Sequence, residues 1–232
     1  MWTIGSIFDP MFLILVGPAF LLAIWAQIKV KSAYAEARRY KPRSGLSGAE
    51  TAQRILNAYG IADVAIEPAN SFLGDHYDPK HRVLRLSPDV YQGRSLAAVG
   101  IAAHEVGHAI QHATNYAPLA IRNGLVPMAS IGSDLAFGFI MIGIILQWMN
   151  VAVIGVGLFA VFVLFQLVNL PVEFNASRRA REILLSNGMV TAEEDQVVGK
   201  VLSAAAMTYV AATVTAVLHL IYWVMRLQSQ RN

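Results

Sequence analysis

The chain contains no cysteine, which excludes any disulfide framework and fits an active region that faces a reducing compartment. It is also poor in charge: of 232 residues only 14% are Asp, Glu, Lys or Arg, while 56% are hydrophobic. That balance is too apolar for an ordinary soluble domain. There is no basic stretch ahead of the first apolar segment and no small-residue cleavage pattern before the Lys29–Arg43 cluster. The segment therefore reads as a retained anchor and not as a signal peptide. No internal repeat or low-complexity tract is present, and basic and aromatic residues do not interleave as they would for nucleic acid.

What the chain does have is apolar length. Four segments reach or approach the span of a bilayer: about Phe8 to Ile28, Ile131 to Met149, Val151 to Val172 and Ala204 to Met225. The second is the weakest, because Asp134 interrupts its start. Asn150 is the expected tip of a tight hairpin between the second and third segments. Lys and Arg set the orientation. Twelve lie between Lys29 and Ile131, four between Glu173 and Ser203, and only Arg226 and Arg231 elsewhere. Both basic regions are expected in the cytoplasm of a multi-pass protein of the cell membrane, with both termini outside. The pI near 9.3 is then a signature of topology.

The organisation predicted is a transmembrane helix over 1–28, a cytoplasmic catalytic region over 29–130, and a transmembrane hairpin over 131–172. A cytoplasmic helical segment over 173–203 and a fourth transmembrane helix with its tail over 204–232 complete it. The fold class is a mainly α membrane protein with a small α+β zincin-like region carrying a short sheet. Within that region Ser47 and Glu50 form a capping-box pattern ahead of Ile55, Leu56 and Tyr59 at helical spacing, with Gly60 as a stop. Val64–Ile66 and Arg82–Leu86 read as strands separated by a turn-rich stretch, and Pro88 closes the second. The second strand is either a sheet edge to which an extended peptide could add or an ordinary core strand.

Residues 104–108 read His, Glu, Val, Gly, His, inside a run from Leu96 to Ala113 with the pattern of an apolar helix. Positions i and i+4 of a helix share one face, one turn apart, so both imidazoles can reach a single cation. Glu105 stands where its carboxylate can take a proton from an attacking water. Two neutral nitrogen ligands and a general base are the elements of zinc-assisted hydrolysis at neutral pH. Val106 and Ile110 lie on the other side as an apolar back, and Gly100 and Gly107 leave room for close approach of another element.

A catalytic zinc needs a third protein ligand. His112 continues the i, i+4 series but lies about 12 Å along the helix from His104, too far to share an ion, and reads as a rim residue. A pattern with a third histidine further along fails at Gln111 and Thr114. His76 and His81 fall in the loop ahead of the strand, and His219 is isolated in the fourth apolar segment. Six carboxylates follow His108: Asp134, Glu173, Glu182, Glu193, Glu194 and Asp195. The 193–195 trio reads as the acidic first turn of a helix capped by Thr191, and Glu182 as an arginine partner. Asp134, an ionisable group at a membrane boundary, is a suspect on that ground alone. Glu173, just past Pro171 at the end of the third segment, has the stronger case. Ser177 shares its helix face and can hydrogen-bond a ligand histidine.

The stretches DHYDP at 75–79, LSPDVY at 86–91, AAHEVGHAIQHA at 102–113 and LPVEFNASRRA at 170–180 together resemble the YugP-like family of neutral zinc metallopeptidases. The likeness extends from Ile24–Gln27 to Ala204–Ala211. It implies Zn2+ held by His104, His108 and Glu173, with Glu105 as catalytic base. The arrangement is similar to that of the HtpX-type and CAAX-prenyl-protease-type membrane gluzincins. Those families usually carry Asp four residues after the ligand Glu, where this chain has Ser177, so Asp134 or Asn175 enters as an alternative orienting group.

The function expected is a membrane-embedded zinc endopeptidase acting on a peptide or protein substrate beside the lipid bilayer. Tyr77, Tyr116, Arg178 and Arg181 are candidates for stabilising the oxyanion. The alternative is a non-catalytic, metal-containing membrane scaffold or adaptor, against which Glu105 argues, since a structural metal has no use for a general base. A metal transporter is disfavoured, because the first, third and fourth segments lack paired intramembrane carboxylates or histidines.

Overall fold

A computed structural model of the chain describes residues 9–69 and 74–229. Phe8, at the expected start of the first apolar segment, and Arg231 lie outside the described residues. The elements run α1 (Pro10–Ala37), α2 (Gly48–Ala58), β1 (Ala65–Pro68), β2 (His76–Asp78), β3 (Val83–Leu86), α3 (Pro88–Tyr91), α4 (Leu96–Ala113), α5 (Ala117–Ile145), α6 (Met149–Ser186) and α7 (Ala192–Gln228). The chain divides into two compact units, one of residues 9–27, 121–170 and 208–229, the other of residues 28–120 and 171–207.

Four helices, α1, α5, α6 and α7, are long and apolar enough to cross a membrane. In the first unit α5 and α6 approach through small residues. A Cβ on Gly143 would meet the backbone nitrogen of Ala152, and one on Gly155 would lie 2.8 Å from the carbonyl of Ala136. Small residues are what permit such backbone proximity between apolar helices. The turn between them differs from the expectation. Asn150 lies in the first turn of α6, and the reversal is made at Gln147, whose φ is 58°. The Trp148 amide donates to the Gly143 carbonyl at 2.8 Å, a helix-terminating bond that requires a left-handed residue just before it. A glutamine in that role carries no compositional signal. His219, isolated in the sequence, packs edge-on against Phe12 and Phe20.

The second unit holds a three-stranded sheet in the order β1-β3-β2. Strand β1 is parallel to β3, with Ala65 opposite Val83, and β2 is antiparallel, with Tyr77 opposite Leu84. Of the two readings of β3, edge or core strand, the order makes it central, and β2, which sequence patterning did not reveal, is an edge. Three residues are too few to display a period of two. Leu84 and Leu86 from β3, Ile55 and Leu56 from α2, and Val99, Val106 and Ile110 from α4 are fully buried in one core. Leu184 and Val198, from α6 and α7, complete it. The predicted capping box closes α2: the Ser47 amide donates to Glu50 Oε2 at 2.8 Å, and the Glu50 amide to Ser47 Oγ at 3.2 Å. Thr191 and Glu194 repeat the device at the start of α7.

Candidate metal centre

Helix α4 spans Leu96–Ala113, the bounds its sequence suggests. Ser95 starts it by accepting from the Ala98 amide, and Asn115, at φ 50°, ends it with the Tyr116 amide bonded back to the Gln111 carbonyl. His104 and His108 rise from one face, their ring centroids 4.8 Å apart. Val106 and Ile110 anchor the other face in the core. Between the histidines Gly107 lies against α6, where a Cβ would come 2.8 Å from the Ala176 carbonyl and 3.2 Å from its Cα. Glycine is needed at that point because only a bare backbone allows the approach. Glu173 is three residues before Ala176 on α6, so the same contact brings its carboxylate to the histidines.

His104 Nε2 lies 3.3 Å from Glu173 Oε2, and His108 Nε2 lies 3.8 Å from Glu173 Oε1. Each residue offers a ligand atom within 4.8 Å of the others. Around a tetrahedral zinc with bonds near 2.0–2.1 Å, ligand atoms sit about 3.3 Å apart, so donor type and spacing fit that ion. Among the described residues this is the one such group of His, Cys, Asp or Glu side chains. Asp134, Glu182 and the 193–195 trio are not in it. Glu194 caps α7, Asp195 accepts two bonds from Arg181 at 3.0 and 2.6 Å, and Asp134 belongs to the other unit.

Glu105 is buried beside the group and accepts from the Tyr77 amide of β2 at 3.1 Å. Burial pushes its carboxyl up to about 7, with the charges of Glu173 and Asp75 adding to the rise and His104 opposing it. Burial is the largest single influence on His104 and disfavours its charged form, yet the hydrogen bond with Glu173 and the charges of Glu105 and Glu173 together hold it above the ordinary histidine value. Asp75 is likewise raised by burial. Its two oxygens accept from the amide and hydroxyl of Ser87 at 2.7 and 3.1 Å, fastening the approach to β2 onto the start of α3. The Tyr77 hydroxyl meets His112 Nδ1 at 2.8 Å, so His112 is a partner of the edge strand. His81 pairs with Asp78 at 2.7 Å on the exposed side of the sheet.

The outer nitrogens of the two histidines differ in their partners. His104 Nδ1 meets Ser177 Oγ at 3.1 Å, as the spacing of Ser177 from Glu173 suggests. His108 Nδ1 meets Gln111 Oε1 at 3.0 Å. Asn175 reaches the site through Gln111, whose Nε2 donates to Asn175 Oδ1 at 3.0 Å and to the Val172 carbonyl at 2.8 Å. Sequence reasoning passed over Gln111, and only its position one turn from His108 pointed to it.

Residues 12–228 match the model of the family described as "Putative neutral zinc metallopeptidase". The chain belongs to this family of zinc metallopeptidases. It is 46% identical over 215 residues to the "Putative membrane protease YugP" of Bacillus subtilis (strain 168), covering 93% of this chain and 96% of that protein. No solved structure matches the chain. The family is described by zinc and the relative as a membrane protease, this chain has four helices apolar enough to cross a membrane, and among the described residues the cluster on α4 and α6 has the donors for such a metal.

Proposed function

We propose that the chain is a membrane-embedded zinc endopeptidase of the gluzincin type, with His104, His108 and Glu173 as metal ligands and Glu105 as general base. The observation that carries this reading is the juxtaposition of two imidazoles and a carboxylate with a second, buried carboxylate that is not needed as a ligand. A zinc ion bound there would supply Lewis acidity, lowering the pKa of water and polarising the scissile carbonyl. Glu105 takes the proton of the attacking water and delivers it to the leaving amine. The Tyr77 amide holds one Glu105 oxygen at 3.1 Å and so fixes the carboxylate's orientation. Strand β2, as a sheet edge next to this carboxylate, offers its outer side to an extended peptide backbone.

The site works in the cytoplasm in this reading, with residues 29–130 and 173–203 on that side of the cell membrane and both termini outside. The Lys and Arg distribution supports it. The substrate is a peptide or protein segment reached beside the bilayer.

Purified protein and its Glu105→Gln variant test the chemistry, with bound zinc and cleavage of an unstructured reporter protein measured on both. The variant should keep zinc and lose roughly 10²–10⁴-fold or more in rate. Wild-type cleavage by the variant would remove Glu105 from the mechanism. For the orientation, Ser44→Cys should resist a membrane-impermeant thiol reagent applied to intact cells, and labelling from outside would reverse the topology.

A further inference from the structure

We propose that Gln111 is a positioning residue of the metal centre, fixing the tautomer and ring orientation of His108 from the backbone of α6. The inference rests on the zinc reading above. A glutamine amide can be placed in two ways, and here the surroundings choose one. The Val172 carbonyl, 2.8 Å away, has only lone pairs to offer, so the Gln111 amino group must face it. Asn175 Oδ1 takes the second amino proton at 3.0 Å and is itself held by Arg179 Nε at 2.8 Å. With both amino protons committed, Oε1 faces His108 Nδ1 at 3.0 Å. Because Oε1 only accepts, Nδ1 must be the nitrogen that carries the proton. In the neutral ring that metal ligation requires, the lone pair of His108 is then on Nε2, the atom 3.8 Å from Glu173 Oε1. Orienting partners of this kind raise ligand basicity and hold the ring in register with the metal.

Two features set this apart from an ordinary buried amide. Gln111 is 0% exposed, so water cannot substitute for any of its partners. It also joins the two ligand-bearing helices: its own helix carries His104 and His108, and Val172 immediately precedes Glu173. The orientation of one ligand is thus referenced to the backbone beside another. The partner of His104, Ser177, is a weaker device, since a hydroxyl rotates and both donates and accepts. His108 is the histidine whose protonation pattern the protein dictates.

The test measures zinc affinity by chelator competition on the detergent-solubilised full chain, for wild type, His108→Ala, Gln111→Met, Gln111→Asn and Gln111→Glu. Ring-nitrogen shifts of labelled histidine in the zinc-free protein are read alongside. Gln111→Met fills the space but offers no acceptor. It should lose about 10–100-fold in affinity, and His108 should change from the pure Nδ1–H tautomer to a mixture. Gln111→Asn, the milder change should the methionine fail to fold, cannot span His108 and Val172 together and should move both readouts in the same direction. Gln111→Glu keeps an acceptor for Nδ1 but sets an oxygen against the Val172 carbonyl and Asn175 Oδ1, so it should restore the proton on Nδ1 while zinc affinity stays below wild type. Tautomer recovery is the readout that a merely structural residue would not give. Wild-type affinity and an unchanged tautomer in Gln111→Met or Gln111→Asn would overturn the proposal. Wild-type zinc affinity in His108→Ala would instead overturn the metal site on which it rests.

Discussion

Helices α4 and α6 build the same centre by different means. Helix α4 is short, capped at both ends, and carries the two histidines proposed as ligands and the proposed base within five consecutive residues. Helix α6 is 38 residues long with Pro171 inside it and carries one candidate ligand, Glu173, with Ser177 one turn on. The local helix is a motif that can be read from spacing. The long helix contributes through its placement, which the glycine at 107 and the amide at 111 determine. The proposed catalytic groups are concentrated on the element whose geometry is set locally, while the proposed third ligand depends on a long-range packing contact.

The largest expected effect separates the two helices at the metal itself. Glu173→Ala leaves α4 intact and both histidines in place, yet two imidazoles alone hold zinc poorly. Its loss of affinity should exceed the ~10–100-fold typical of removing an orienting partner. Glu173→Asp, one methylene short, should weaken binding without abolishing it. Stoichiometric, chelator-resistant zinc in Glu173→Ala, with loss in Asp134→Asn, would move the third ligand to Asp134.

The same contrast explains what sequence alone revealed. The bounds of α4 and its motif were legible because i, i+4 spacing and the apolar back are local properties. The three-residue strand β2 was not, and β3 stayed open between edge and core strand because strand order is set by pairing and not by composition. Ser177 was found through its spacing from Glu173, whereas Gln111 was not. An amide's role is decided by what faces it, here Val172 and Asn175, 61 and 64 residues away in sequence. The hairpin turn moved from Asn150 to Gln147 for a related reason, since any residue can be held left-handed at modest cost if the flanking helices pack well enough.

A smaller effect tests the contact that joins the helices. Gly107→Ala places a methyl group 2.8 Å from the Ala176 carbonyl, a backbone atom that cannot swing aside. Overpacking of this kind costs about 1–3 kcal/mol, and the strain falls between the ligands, so zinc affinity should drop with stability. Gly100→Ala is the control on the same helix. Its methyl would meet Val198 Cγ1 at 2.9 Å, a side-chain atom away from the ligands, so stability should fall while zinc affinity holds. Equal zinc affinities in the two variants, measured at matched folded fractions, would show that the α4–α6 contact does not set the site.

The smallest effect concerns Glu105, where burial on α4 and the neighbouring carboxylate on α6 act on one proton. In the metal-free protein its carboxyl is pushed up from the ordinary 4.5 to about 7, chiefly by burial, with Glu173 and Asp75 adding. The folded chain therefore holds this proton more tightly than the unfolded chain does. Below the unfolded value both states are protonated and the group has no effect on stability with pH. As pH rises from about 4.5 to about 7 the unfolded state gives up its proton first, so stability falls, and above that window the loss is complete. Glu105→Gln has no proton to release and escapes this loss. Thermal midpoints of chelator-treated wild type and variant should therefore diverge across the window, with the variant gaining relative to wild type toward neutral pH. Other groups titrate over the same range, which is why the difference between the two proteins is the quantity to follow. A difference that stays flat from pH 4.5 to 8 would mean that Glu105 ionises as freely in the fold as in water, and the shielding attributed to α4, α6 and β2 would not exist.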